Sequence, residues 1–351
     1  MTPPVEDRRP RIVVSAANDL VAGSVLRLLE ERGASIADVR GLTDANIDEA
    51  DPPQWVGEAV VLEDAASADL TGVDLLYLCP PCADAEALLE RAVDCGAQVI
   101  DLIGVDRGLD EVLLVTPDLT LPAGARAVSS PDGEARVHRS PDPLALILAT
   151  VLLPLAEVAG LVSIRVQLLL PASTLGEPGV RELAGQAENL FNQRDMPQAL
   201  YGRQIAFNLL SGDAGPATAG LLAATARDLG ALLGDHAAPT DLQVTWVPVF
   251  FGSAATLWVE TSEKLDQTRL RELLRVAPGL ILTDPAGADG TTPTPVEHAL
   301  DSDAVHVALL GEDGASPRGQ VLWLVADDVR RGRALNAVRV AECLMRDSEI
   351  G

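Results

Sequence analysis

Short β-branched runs alternate with helical spacings over the first third of this chain, and that alternation limits the folds open to it. Arg11 opens the strand-like run RIVVSAA. Leu20 to Arg32 follows, with apolar residues at Val21, Val25, Leu28 and Leu29, a helical spacing that stops at Gly33. Ala59 to Leu62 and Val73 to Cys79 read as strands, Ala83 to Val93 as a helix, and Gln98 to Asp101 as another strand. Strands separated by helices imply parallel βαβ units, and so an α/β chain built on a doubly wound sheet. The acidic, Pro-containing stretch Thr43 to Gln54 reads as a loop.

The pattern changes after Pro141. Leu161 to Leu170 is a long apolar strand, and Gly179 to Asn192 and Ala219 to Leu233 are amphipathic helices. Strand-like runs follow at Leu242 to Val249, Ala255 to Glu260, Val305 to Leu310 and Val321 to Val325. Val329 to Arg346 closes the chain as a helix. A length of 351 residues suits two domains at about 100–200 residues each. Long strands with interspersed helices make the second domain α+β.

Charge narrows the partners. The chain has 26 Lys+Arg against 52 Asp+Glu, a net charge of -26, and Lys264 is its single lysine. No basic surface is available to displace phosphate counterions or to seek anionic lipid, so nucleic acid and membrane surfaces are excluded. The most apolar run, Pro143 to Ala156, covers about 14 residues where a bilayer span needs about 20. Asp142 before Pro143 is an N-cap followed by proline at the first helical position, which makes this run a buried core helix. The opening MTPPVEDRRP has no apolar segment of the signal-peptide kind. Four cysteines are too few for a disulfide scaffold. The expected protein is soluble and cytoplasmic.

Three segments of the second half carry a family resemblance: RQIAFNLL at Arg203–Leu210, VPVFFG at Val247–Gly252, and VADDVRRGRALNAVRVAE at Val325–Glu342. With a dinucleotide-type domain ahead of them, the chain resembles the aspartate-semialdehyde dehydrogenase family along nearly its whole length. The resemblance implies a Rossmann-type domain of residues 1–140 plus 326–351, with the C-terminal helix returning to it. It implies a semialdehyde dehydrogenase dimerisation domain at 141–325, and a homodimer. Family enzymes of amino-acid biosynthesis interconvert aspartyl phosphate and aspartate semialdehyde with NADP, through a cysteine nucleophile, a histidine base and an arginine that grips the substrate carboxylate.

This sequence departs from each of those positions. The nucleophile would follow a Ser/Asn-Pro-Asn run; here the run is Ser130-Pro131-Asp132 and Gly133 stands at the cysteine position. Ser253 stands where the histidine would be, just after Gly252. Trp246 stands where the arginine would precede VPV, and Leu170 where a supporting glutamine would lie. The Gly-x-x-Gly-x-x-Gly turn of the family reads Ala16, Asp19 and Ala22. A carboxylate at a helix N-terminus fills the anion site itself and repels a pyrophosphate. Asp44, Asp48, Glu49 and Asp51 likewise repel an adenosine 2′-phosphate. Asn336 is retained and is a remnant cofactor contact by this resemblance. No cofactor is expected, with NADP the alternative if the chain is an active dehydrogenase. A homodimer is the expected assembly, with contact to an active relative as a further option.

Other residues could carry chemistry. Cys79-Pro80-Pro81-Cys82 is a C-x-x-C at a strand-to-helix turn; it is either a redox pair, its Cys82 thiol acidified by the helix N-terminus, or one packed and one solvent-side cysteine with two prolines ending the strand. His138, close after Gly133 and flanked by Arg136 and Arg139, reads as a surface histidine in a polar loop in preference to a catalytic one. Arg330, Arg331 and Arg333 are the most concentrated positive charge, either an anion site or a solvated helix start. No His/Cys/Asp spacing matches a zinc site.

Overall fold

The computed structural model describes residues 9–47, 50–105, 113–128, 135–212, 218–283 and 291–348. The chain divides into two units: Met1–Pro117 with Val128–Pro141 and Arg333–Gly351, and Asp118–Ala127 with Asp142–Gly332. The Asp118–Ala127 loop therefore belongs to the second unit, and the return to the first falls at Arg333.

In the first unit β1 (Arg11–Val14), α1 (Leu20–Glu31), β2 (Asp38–Thr43), β3 (Val61–Asp64), β4 (Leu75–Leu78), α2 (Ala85–Asp94), β5 (Gln98–Asp101), β6 (Leu113–Leu114) and β7 (Val137–Arg139) follow in order. They form one sheet in the order β3-β2-β1-β4-β5-β7-β6, with every pair parallel. The strand order reverses between β1 and β4, the switch point where such sheets hold ligands. β4 is buried along its whole length, as a central parallel strand covered on both faces must be. The C-terminal helix Leu335–Ser348 belongs to this unit, where the Glu342 carboxylate accepts both N–H groups of Arg32, one at 2.8 Å.

The second unit opens with α3 (Pro143–Ala159). The Asp142 side chain caps it, accepting the N–H groups of Leu144 (3.0 Å) and Ala145 (3.1 Å). Fourteen of its residues are buried, which bears out the core helix expected from the sequence. After it come β8 (Leu161–Leu170), α4 (Gly176–Phe191), β9 (Leu210–Ser211), α5 (Thr218–Leu233), β10 (Thr240–Trp246), β11 (Ser253–Thr261), α6 (Gln267–Val276), β12 (Leu280–Leu282), β13 (Val305–Glu312) and β14 (Gly319–Ala326). The mixed sheet runs β9-β10-β8-β11-β14-β13-β12. Along β8 alternate residues are buried, and that face carries Ile164, Val166, Leu168 and Leu170.

Three expectations need correction. The segment Thr43 to Gln54 ends in a two-strand hairpin, Gln54–Trp55 against Glu58–Ala59, so Ala59 is separated from β3. The closing helix is broken at its start: Arg330–Ala334 forms a wider π turn before Leu335. His138 lies on β7, fully buried, and its Nε2 is 2.9 Å from Gln98 Oε1; a three-residue strand carries too little pattern to be read from sequence.

Candidate functional site

The first unit presents its switch point at the ends of β1 and β4. Ser15 and Cys79 lock these ends together: the Ser15 hydroxyl donates to the Cys79 carbonyl (3.1 Å) and accepts the Cys79 N–H (2.8 Å). Ala16 takes the turn at φ 47°, a left-handed backbone that favours glycine. Its side chain and that of Ala22 are buried. Asp19 is the N-cap of α1 and its carboxylate accepts the Leu20 N–H at 2.7 Å. Asp19 is only 8% exposed, so a carboxyl group of the chain itself already occupies the helix N-terminus. The Asp44 carboxylate accepts the Ala83 N–H at 2.8 Å, adding a second carboxyl group to this edge. These residues do not fit a dinucleotide pyrophosphate, which needs open glycine backbone and unoccupied helix amides.

Both cysteines of the C-x-x-C are free thiols. Burial, with Asp19 adding to it, pushes the Cys79 thiol far above its ordinary value. Burial and then Asp44 push the half-buried Cys82 up to about 11. The helix N-terminus, expected to acidify Cys82, is outweighed by burial and, after it, by the Asp44 carboxylate just past β2. One packed cysteine, Cys79, and one partly exposed cysteine, Cys82, therefore fit the structure, and an acidified redox thiol does not.

Asp101, at the end of β5, accepts the N–H groups of Ile103 (2.8 Å), Gly104 (2.9 Å) and Val105 (2.9 Å). Burial nevertheless raises its carboxyl above the usual range. Asn336 is fully buried and its amide donates to the Val115 carbonyl (3.0 Å) and the Ser140 hydroxyl (2.8 Å). Its N–H groups thus tie the C-terminal helix to the strand region of its own unit. Gly133, with Ser130, Pro131 and Asp132, lies outside the described residues.

The second unit brings three of the candidate positions to one end of its sheet. Leu170 of β8 pairs with Trp246 of β10. On the other side Leu169 pairs with Ala254, next to Ser253, which opens β11 and pairs with Ala326. Gly252, at φ 86°, lets the preceding turn pass Pro295, whose Cβ would lie 2.9 Å from an added Cβ.

Each of these side chains is enclosed. Trp246 is 1% exposed and meets Tyr201 edge-on, with ring centroids 5.9 Å apart. Its indole N–H donates to Thr218 Oγ at 3.3 Å. Leu170 is fully buried. Ser253 is buried among Leu144, Ile147, Leu148 and Leu168 of α3 and β8, beside a void of about 10 Å³. That space holds at most one water. The Ser253 hydroxyl has no hydrogen-bond partner among the described residues. Apolar packing thus fills this end of the sheet.

Two buried polar residues escaped the sequence reading. The Glu182 carboxylate accepts the N–H groups of Leu200 (2.7 Å) and Tyr201 (3.2 Å). The Gln186 amide oxygen accepts those of Ile205 (2.7 Å) and Ala206 (3.1 Å), while its nitrogen donates to the carbonyls of Pro197 and Arg203. Together they shape the Arg203–Leu210 segment and place Tyr201 against Trp246. Their signal in the sequence is slight: two polar residues one turn apart on the face that also buries Leu183.

The arginine run does not form one anion site. Arg330 is paired with Asp303 at 2.7 Å. Arg331 is 1% exposed, with Asp118 at 3.5 Å and Thr150 Oγ at 3.2 Å. Arg333 belongs to the first unit and donates to the Leu102 carbonyl at 3.4 Å. Among the described residues no group of three or more His, Cys, Asp or Glu is placed to hold a metal ion. Nor is any described helix long and apolar enough to cross a membrane.

A parallel doubly wound unit followed by a mixed-sheet unit defines a two-domain protein of the dehydrogenase type. Residues 152–331 match the semialdehyde dehydrogenase dimerisation domain, and the chain belongs to that family. A relative from Pseudomonas aeruginosa, the USG-1 protein homolog, is 30% identical over 95% of this chain and 97% of its own. The aspartate-semialdehyde dehydrogenase of Legionella pneumophila is 27% identical, covering 97% of each chain. The structure of aspartate semialdehyde dehydrogenase II from Vibrio cholerae, complexed with ASA, superposes with a TM-score of 0.84 at 25% identity, covering 97% of this chain and 99% of that one. A probable aspartate-semialdehyde dehydrogenase from Pseudomonas aeruginosa gives a TM-score of 0.82 at 27% identity, over 97% of this chain and all of that one.

Proposed function

We propose that this chain is a non-catalytic, dimeric member of the semialdehyde dehydrogenase family that acts by binding rather than turnover. The observation that carries this reading is the enclosure of Trp246, Leu170 and Ser253 at one sheet end. In the family resemblance those positions hold a substrate cation, a supporting amide and a base. An indole packed on Tyr201 presents no cation to a carboxylate, and a serine facing leucines moves no proton. Gly133 offers no nucleophile, because glycine has no side chain. Asp19 occupies the helix terminus that a pyrophosphate would need. The domain expectation, 1–140 plus 326–351 and 141–325, belongs to the same reading.

Dimerisation is supported by surface chemistry as well as by the family match. The chain has four phenylalanines, and none is buried: Phe191 is 77% exposed, Phe207 66% and Phe250 42%, with Phe251 half-buried. Phe191 and Phe207 meet edge-to-face at 5.6 Å on the open surface. Exposed aromatic patches of this kind mark protein contacts. A second copy is the occupant proposed here, with an active relative as a heteromeric alternative.

A second reading, an active NADP-dependent aspartate-semialdehyde dehydrogenase, draws on relatives that carry the enzyme's name over nearly their whole length. NADPH titration separates the two. Nicotinamide fluorescence is followed as the chain is added, with the Vibrio cholerae relative as control. The proposal expects no saturable change. Saturation at concentrations similar to the control sinks it.

A further inference from the structure

We propose that the cavity beneath the Asp118–Pro122 loop of the second unit binds a small organic cation, an ammonium group carried on an apolar body. This cavity shares no lining residue with the Trp246, Leu170 and Ser253 end of the sheet, so the inference stands apart from the question of turnover.

The cavity has a volume of about 260 Å³, near the lower end for small-molecule pockets. Its walls are the second half of α3, the end of α6 and the Asp118–Pro122 loop. The loop is tethered within its own unit: Asp235 donates its N–H to the Ala123 carbonyl (3.0 Å), and Arg126 to that of Ala231 (2.9 Å). Leucines and prolines make up half of the lining residues, with Val276 and Ala277 beside them, which suits an aliphatic or aromatic body.

The polar groups select the charge. Pro154 lies inside α3 and lines the cavity together with Thr150. Proline has no N–H, so the helix ladder gives the Thr150 carbonyl no bond from residue 154. This gap in the ladder falls among residues that line the cavity, and it leaves the Thr150 carbonyl without its helical partner. Asp118 and Glu157 also line the cavity, and both accept when ionised. Arg331, behind the wall, balances Asp118 at 3.5 Å. Glu157 is exposed at the rim, with no arginine or lysine among the lining residues to offset it. His236 is the one basic residue of the lining. A site rich in acceptors with surplus negative charge takes a donor cation and rejects a carboxylate.

The test uses the full-length chain and three probes with one phenyl body: 2-phenylethylammonium, 2-phenylethanol and 3-phenylpropanoate. Saturation-transfer NMR gives the affinity of each. The ammonium should bind saturably, the alcohol several-fold more weakly, and the propanoate not at all. Glu157→Gln, at an exposed position, should weaken the ammonium roughly threefold and leave the alcohol unchanged. Pro154→Ala restores the helical N–H; it should weaken the ammonium and raise the melting temperature. Equal affinities for the three probes, no saturable binding of the ammonium, or a Glu157→Gln variant that binds it unchanged would each overturn the proposal.

Discussion

Replacing Trp246 by alanine removes the largest buried side chain at the Leu170, Trp246 and Ser253 end of the second sheet. The indole is 1% exposed, so nearly its whole surface leaves water on folding. A tryptophan buries roughly 150–250 Å², which at about 25 cal/mol/Å² corresponds to about 4–6 kcal/mol, and alanine keeps a small part of it. The edge-to-face contact with Tyr201 adds about 1 kcal/mol. The 3.3 Å bond to Thr218 is long and contributes at the low end, about 0.5 kcal/mol. Relaxation of Tyr201 into the gap recovers some of this, which places the expected loss at about 4 kcal/mol. Trp246→Phe, which keeps a ring and loses the N–H, should cost about 1–2 kcal/mol. Urea unfolding followed by circular dichroism, at one fixed protomer concentration, measures both. Trp246→Arg distinguishes a packed core from an open cleft. In a packed core it buries an unpaired charge and should destabilise at least as much as alanine. A loss below about 1 kcal/mol for Trp246→Ala, or ready tolerance of Trp246→Arg, would refute the argument that this end is filled.

Further outcomes follow from the same structure. Gln186→Leu leaves two buried N–H groups and two carbonyls without their partner and should cost about 3 kcal/mol in urea unfolding; a change under about 1 kcal/mol would show that water replaces the amide. The double variant Phe191→Asp, Phe207→Asp should shift the chain from dimer to monomer in light scattering while its circular dichroism is unchanged, and an unaltered mass would remove this patch from the interface. Alkylation of Cys82 should accelerate about tenfold per pH unit from pH 8 to 10, because its pKa is pushed up to about 11; a rate already level near pH 9 would contradict the burial and Asp44 argument. The sign for stability agrees: the folded chain holds this proton longer than the unfolded one. The group's contribution is complete below the ordinary value of 9.0 and is lost as pH rises through about 11.

Particular elements show why part of the fold is legible in the sequence. Asp142-Pro143 ahead of an uninterrupted apolar run announces α3, because cap, first-turn proline and burial agree. β8 is read residue for residue, since its length and apolar character leave no competing pattern. α6 is missed for the opposite reason: it buries only Leu270 and Leu274 among many charges, too few positions to set a period. The site divides in the same way. Trp246, Ser253 and Asp19 are visible as residue types. What surrounds them is not, because the partners arrive through the fold: Thr218 is 28 residues from Trp246. Asp44 reaches the Cys82 turn through Ala83, 39 residues away. A local rule, that helix N-termini acidify thiols, therefore points the wrong way once the fold buries the thiol and brings a distant carboxylate to the same place.

The central claim is that this fold persists without the chemistry of its relatives. Phosphate-dependent reduction of NADP with aspartate semialdehyde tests it most directly, run at high protein concentration beside the Vibrio cholerae enzyme. The account predicts no turnover above background from the purified chain. Phosphate-dependent turnover that stays with the protein through further purification would contradict it, and its loss in Cys82→Ser would identify Cys82 as the nucleophile.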